Sequence, residues 1–200
     1  MADLSISSAV QSLNNDPHCG DAFSYWRFSN HILICMVDGL GHGIFAEKAA
    51  QAAIHHVAFQ RREPLPDIIK SCDKAIRKTR GVAMSLVMIN EMTGDLSHAA
   101  IGNVRTMVVN HNTVHLGSDF GIVGGGYRSL SPDRHRLKEG DLVIMTTDGV
   151  TLKIDLKIDK LLYESDFEIL ANKILQKWSH GRDDAGVLVY KFQSNQIKEV

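Results

Sequence analysis

ICMVDGLGHGIFAEKAA, residues 34–50, decides how this chain is read. An apolar run suited to a strand ends on Asp38, and Gly39, Gly41 and Gly43 follow within five positions. From Ile44 the small and apolar residues Ala46, Ala50, Ala53 and Val57 recur at spacings of four, three and four, one face of a helix reaching about Arg61. Pro64 and Pro66 break that helix. Strand, acid, glycine turn and helix come in that order. Glycine beside the acid is expected to let the backbone turn sharply and a carbonyl or water reach an ion with no Cβ in the way.

Outward from this stretch the strand signal dominates. Residues 5–12 and 22–37 are rich in Ile, Val, Phe, Tyr and Trp, and Ser29-Asn30 interrupts the second run like a hairpin turn, which predicts three strands. A second helix is expected from about Asp67 to Thr79, burying Ile69, Cys72 and Ile76, with Gly81 as its cap. VAMSLVMIN (82–90), DLSHAAIG (95–102) and VRTMVVN (104–110) read as a β-meander. GSDFGIVGGGYRSLSPD (117–133) has no period and reads as a surface loop or a short edge strand with turns. DLVIMTTDGV (141–150) repeats the opening pattern, a strand ending in Asp-Gly. Ser165 with Glu168 forms a capping box before Phe167, Leu170, Ile174 and Trp178, and AGVLVYKF (185–192) makes a last strand. No repeat or linker divides the chain, so one domain over residues 1–200 is expected.

Composition excludes several function classes. Lys plus Arg number 22 against 23 Asp plus Glu, so no net field draws nucleic acid or an anionic membrane. Cys19, Cys35 and Cys72 stand at no metal-ligand spacing, and no apolar run reaches the ~18 residues of a membrane span. The opening MADLSISSAVQSLNND carries neither a basic leader nor an apolar core, and a cytoplasmic protein is expected. Of the ten histidines, the adjacent His55 and His56 face different ways on a helix and cannot chelate from one face.

The chemistry lies in the acids at strand ends: Asp21 in CGDAF, Asp38 in VDGLGHG, Asp148 in TTDGV, and Asp183 with Asp184 in RDDAGVLV. Carboxylates are seldom buried unless paired or metal-bound, and several brought together repel one another and call for cations. An all-oxygen set favours Mg²⁺ or Mn²⁺ over Zn²⁺, and two such ions acting on a shared water hydrolyse phosphoesters. The helix beginning beyond Gly43 aims its positive end at the same place. His42, at that helix start, is a candidate phosphate donor or proton relay, and Arg105 and Arg182 are candidate phosphate forks. VDGLGHG does not open a helix within a parallel βαβ unit, and GIVGGG lacks the lysine of a P-loop, so neither marks a nucleotide site.

The order GD (20–21), DGLGHG (38–43), GNVR (102–105), TTDG (146–149) and DDAGVLV (183–189) resembles the metal-dependent PPM/PP2C protein phosphatases, in their bacterial SpoIIE-type branch, over nearly the whole chain. The resemblance implies an α+β fold, a four-layer α/β/β/α sandwich of two antiparallel sheets flanked by helices, with two Mn²⁺ or Mg²⁺ ions at one end. It implies that Asp38 bridges both ions, that the Gly39 carbonyl ligates one, and that Asp148 and Asp183 complete the other. Asp21 would bind an ion or orient a water, and an activated water would attack the phosphorus of phosphoserine or phosphothreonine. The implied substrates are phosphorylated STAS-domain stressosome proteins of the RsbS and RsbR type, dephosphorylated by a monomer as negative feedback in stress signalling. The eukaryotic branch has a phosphate-binding arginine where this chain has Asp16, a histidine where it has Leu40, and an aspartate where it has Asn103. A catalytically silent scaffold that binds phosphoproteins is the other reading; the intact acid set speaks against it.

Overall fold

In the computed structural model, residues 5–110, 112–151 and 166–194 are described. Chain order is β1 (Ile6–Gln11), β2 (Asp21–Phe28), β3 (His31–Gly39), α1 (Ile44–Gln60), α2 (Leu65–Ala75), β4 (Val82–Asn90), β5 (Asp95–Ile101), β6 (Arg105–Val109) and β7 (Thr113–Leu116). Then come β8 (Gly121–Ile122), β9 (Gly126–Tyr127), β10 (Asp133–Arg136), β11 (Leu142–Thr146), α3 (Leu170–Trp178) and β12 (Ala185–Lys191). Two five-stranded sheets form, in the orders β1-β12-β11-β6-β7 and β10-β5-β4-β3-β2, and every pairing is antiparallel.

Period-two alternation divides each strand between two cores. On β3, Ile32, Ile34 and Met36 face the other sheet, where they join Val87, Val108, Val143, Met145, Leu188 and Tyr190. The alternate residues Leu33, Cys35 and Val37 pack under Ala49, Ala50, Ala53 and Val57 of α1 and Ile68, Ile69 and Cys72 of α2. On the second sheet Met107, Ile144, Val187 and Val189 pack under Leu170, Ala171, Ile174 and Trp178 of α3. The result is the expected α/β/β/α sandwich, because each sheet has two apolar faces and each face finds a cover.

Three expectations change. The run 82–110 is not a meander: β4 and β5 pair in one sheet while β6 pairs β11 in the other. The chain crosses between sheets at Gly102-Asn103, where Gly102 takes φ +95°. Alternation alone cannot tell which partner an apolar strand takes. Helix α2 starts at Leu65, with Pro66 in its first turn, where a missing N–H costs nothing. It ends at Ala75, so Gly81 (φ +82°) does not cap it; a Cβ there would lie 2.5 Å from Ile122 Cγ2. The loop 117–133 contains the β8–β9 hairpin and leads into edge strand β10. Ser165 of the expected capping box lies outside the described residues; the chain enters α3 through a 3₁₀ turn, Phe167–Ile169.

Candidate metal centre

The β2–β3 hairpin sets Asp21 directly opposite Asp38. Both continue the rows that point between the sheets, Phe23 and Tyr25 on one strand and Met36 and Ile34 on the other, so both carboxylates emerge at the open rim of the inter-sheet core. Like charges facing each other across a ladder destabilise it. Opposite this pair stand the ends of β11 and β12. Asp38, Asp148 and Asp183, with Leu40, Gly41, Gly102, Asn103 and the segment Phe120–Ile122, line a pocket of about 460 Å³.

The acids perturb one another. Burial pushes the Asp38 carboxyl up to about 7, and the charges of Asp148 and Asp183 push in the same direction, while a hydrogen bond from Asn103 opposes them. Asp21, buried, is raised well above the ordinary carboxylate range, first by desolvation and then by Asp38; a bond from Thr147 opposes this. Among the described residues no lysine, arginine or histidine forms an ion pair with Asp21, Asp38, Asp148 or Asp183. Acids without a paired cation, Asp21 buried, Asp38 and Asp183 half-buried and Asp148 exposed, are the kind of donor set that suits a hard divalent cation. They ring the pocket without closing on a point: among the described residues no three His, Cys, Asp or Glu groups form a ready cage. That openness fits ions such as Mg²⁺ and Mn²⁺, which keep several waters, and does not fit an all-protein zinc cage.

The supports of these carboxylates are specific. Thr147 donates its hydroxyl to Asp21 Oδ2 at 2.6 Å and in turn accepts the Gly186 N–H at 2.8 Å. Asn103 Nδ2 donates to Asp148 Oδ2 at 2.7 Å. Arg105 donates to the carbonyls of Thr147 and Val150, so this candidate phosphate fork holds the TTDG turn. The Asp184 N–H donates to Asp183 Oδ1 at 2.9 Å, while the Asp184 side chain turns inward to accept the N–H groups of Leu13 (2.7 Å) and Gly20 (2.6 Å). The adjacent acids thus divide: Asp183 lines the pocket and Asp184 ties down the chain leading into β2.

The glycines act differently from the expectation. A Cβ on Gly39 would sit 2.2 Å from the Ala46 carbonyl oxygen, and one on Gly149 would sit 1.9 Å from the Asp184 carbonyl oxygen. Each Asp-Gly glycine therefore lets a neighbouring backbone pass against the strand end, and this contact places the acid. His42 is exposed and stands outside the pocket lining. Arg182 adjoins the site through its backbone N–H, which donates to His180 Nδ1 at 3.1 Å. Sequence reading missed Thr147 and the anchoring role of Asp184, which no spacing announces. It noticed Asn103 only as a departure from a related pattern.

The fold and the acid rim define a PP2C-like domain, and the chain belongs to the Stage II sporulation protein E (SpoIIE) family, whose sequence profile matches residues 29–193. It is 28% identical over 155 residues to phosphoserine phosphatase RsbX of Bacillus subtilis (strain 168), covering 74% of this chain and 76% of that protein. A structure described under the bacterial stressosome as a modular system adapted to control secondary messenger signalling superposes with TM-score 0.87 at 26% identity, over 92% of this chain and 97% of the other. The crystal structure of RsbX in complex with magnesium superposes with TM-score 0.83 at 20% identity, over 96% and 98%, a likeness of fold.

Proposed function

We propose that this chain is a metal-dependent phosphoprotein phosphatase hydrolysing phosphoserine and phosphothreonine on stressosome STAS-domain proteins of the RsbS and RsbR type, as negative feedback in stress signalling. The phosphatase activity follows the family and the RsbX relative; the stressosome assignment draws on that relative and on the stressosome structure. The observation that carries the chemistry is Asp21 opposite Asp38 at the end of the β2–β3 hairpin, with Asp38, Asp148 and Asp183 lining one pocket and no side-chain cation paired to these acids among the described residues.

In this reading Asp38, the Gly39 carbonyl, Asp148 and Asp183 would hold two Mn²⁺ or Mg²⁺ ions, and Asp21 would hold an ion or orient a water. When bound there, the ions would supply charge neutralisation for the phosphate dianion and a more acidic water. Asn103 and Thr147 keep two of the carboxylates aimed before substrate arrives, which lowers the reorganisation needed in the transition state. Arg105 holds the backbone that presents Asp148. His42, beside the pocket in sequence, assists by donating to the phosphate. The domain spans residues 1–200 and works as a monomer in the cytoplasm; among the described residues no helix is long and apolar enough to cross a membrane.

The test is phosphate release from phosphorylated STAS-domain proteins with Mn²⁺, with Mg²⁺ and with chelator. Turnover that requires the ion is expected. Binding of the phosphoproteins without turnover under any metal would establish the silent-scaffold reading instead.

A further inference from the structure

The most exposed large apolar side chain among the described residues, Phe120, lines the acidic pocket. Phe120, 96% exposed, and Leu40, 39% exposed, both line the pocket. Phe45, 59% exposed, and Ile44, 40% exposed, continue the Leu40 side at the start of α1. Arg80 joins them: its guanidinium lies 5.2 Å from the centre of the Phe45 ring and donates to the Leu40 carbonyl at 3.4 Å. A phosphate monoester has no use for aromatic surface, and an aromatic ring left in water beside a charged site costs solvation until something covers it.

Phe120 is held in place. The Asp119 N–H donates to the Ala100 carbonyl at 3.0 Å, and the Gly102 N–H donates to the Asp119 carbonyl at 2.9 Å. Val82 and Val123 exchange two backbone bonds of 2.9 Å, and the Gly124 N–H donates to Asp73 Oδ1 of α2 at 2.9 Å. The backbone is therefore pinned on both sides of Phe120, which fixes where the ring emerges, and less conformational entropy is lost on contact than from an unpinned loop.

We infer that Phe120, which with Leu40 lines the acidic pocket, is a specificity-determining anchor for an apolar side chain next to the phosphorylated serine of the protein substrate. The inference rests on the phosphatase reading of the same pocket. The occupant is a phosphoserine segment, because the pocket floor receives the phosphate and the neighbouring residues of that segment must then cross the mouth. An apolar neighbour buries against Phe120 and Leu40; a charged neighbour gains nothing from the Phe120 ring and gives up hydration beside it.

The experiment measures kcat/KM for three synthetic phosphoserine peptides, with Leu, Gly or Glu on both sides of the phosphoserine, and for p-nitrophenyl phosphate, all with Mn²⁺. Wild-type protein is expected to prefer the Leu peptide to the Glu peptide by on the order of tenfold, the scale of burying part of one apolar side chain. Phe120→Ser is expected to erase that preference and to lower the ratio of Leu-peptide to p-nitrophenyl phosphate kcat/KM by a similar factor, chiefly through KM. A preference and ratio unchanged in Phe120→Ser, with both substrates turned over, overturn the anchor alone. A wild-type protein that turns over neither substrate overturns the phosphatase reading and the anchor with it.

Discussion

Burial, then the charges of Asp148 and Asp183, push the Asp38 carboxyl up to about 7, and burial, then the charges of Asp38, Asp184 and Asp148, raise Asp21 opposite it. Removing the charge at residue 38 should therefore relieve the metal-free protein while emptying its ion sites. Asp38→Asn is expected to lower turnover more than ~100-fold and to abolish Mn²⁺ uptake by calorimetry, with a melting temperature in chelator no lower than wild type. Normal turnover in a metal-titrated assay of this variant would contradict the ligand assignment. His42, exposed and outside the lining, should matter less: His42→Ala is expected to lose less activity than any change at Asp21, Asp38, Asp148 or Asp183. Equal losses would move His42 to the centre of the chemistry. Asp184 gives a different signature, since its carboxylate accepts two backbone N–H groups and is itself buried. Asp184→Ala leaves both donors without a partner and should cost roughly 2 to 5 kcal/mol in denaturant unfolding.

At the scale of elements, the metal rim exists because helix and strand backbones touch. The α1 carbonyl of Ala46 would be 2.2 Å from a Cβ on residue 39, and backbone cannot retreat as a flexible side chain can. Gly39→Ala should destabilise by on the order of 1 to 3 kcal/mol and should also weaken Mn²⁺ binding, because α1 and the Asp38 strand end must separate. Unchanged stability would mean that α1 shifts freely at its start. Segment 117–133, without a period in its sequence, has its order imposed by Ala100, Gly102, Val82 and Asp73, all distant along the chain. Local propensity could not announce it. The β4-β5-β6 run shows the same limit from the other side: its strand character is local and legible, but the choice of partner for β6 depends on β11, some forty positions downstream.

Across the whole molecule, the core between the sheets carries a polar knot, with Ser85 Oγ within 3.0 Å of His98 Nε2 and 2.8 Å of Thr106 Oγ1. Burial lowers the His98 pKa to about 4 from 6.5, and Asp133, 3.6 Å from Nδ1, only partly offsets this. The unfolded chain takes up a proton near pH 6.5 and the folded one only near pH 4. His98 therefore costs no stability above pH 6.5 and destabilises progressively as the pH falls from 6.5 to 4, by roughly 3 kcal/mol at the end of that window. Equilibrium melts of wild type and His98→Gln between pH 7 and 4 check this; the variant should lose less stability over that range, and parallel curves would refute it. Ion binding adds a second global term. Because only the folded chain assembles the rim, Mn²⁺ at ~100 times its Kd should add about 2.7 kcal/mol, reversed by chelator.

The amino-acid sequence by itself determined the long strands and helices and marked the acids at strand ends. Alternating strands and one alanine-faced helix are local patterns, and Asp21, Asp38, Asp148 and Asp183 each stand at a strand end where the pattern stops. Tertiary structure alone decided which of two adjacent acids, Asp183 or Asp184, lines the pocket, that the Asp-Gly glycines admit backbone, and that Arg105 braces a turn. The physical reason is range: period, propensity and the β2–β3 hairpin that pairs Asp21 with Asp38 act over nearby residues, whereas the approach of Asp148 and Asp183 to that pair comes from sheets that meet only after the chain has folded.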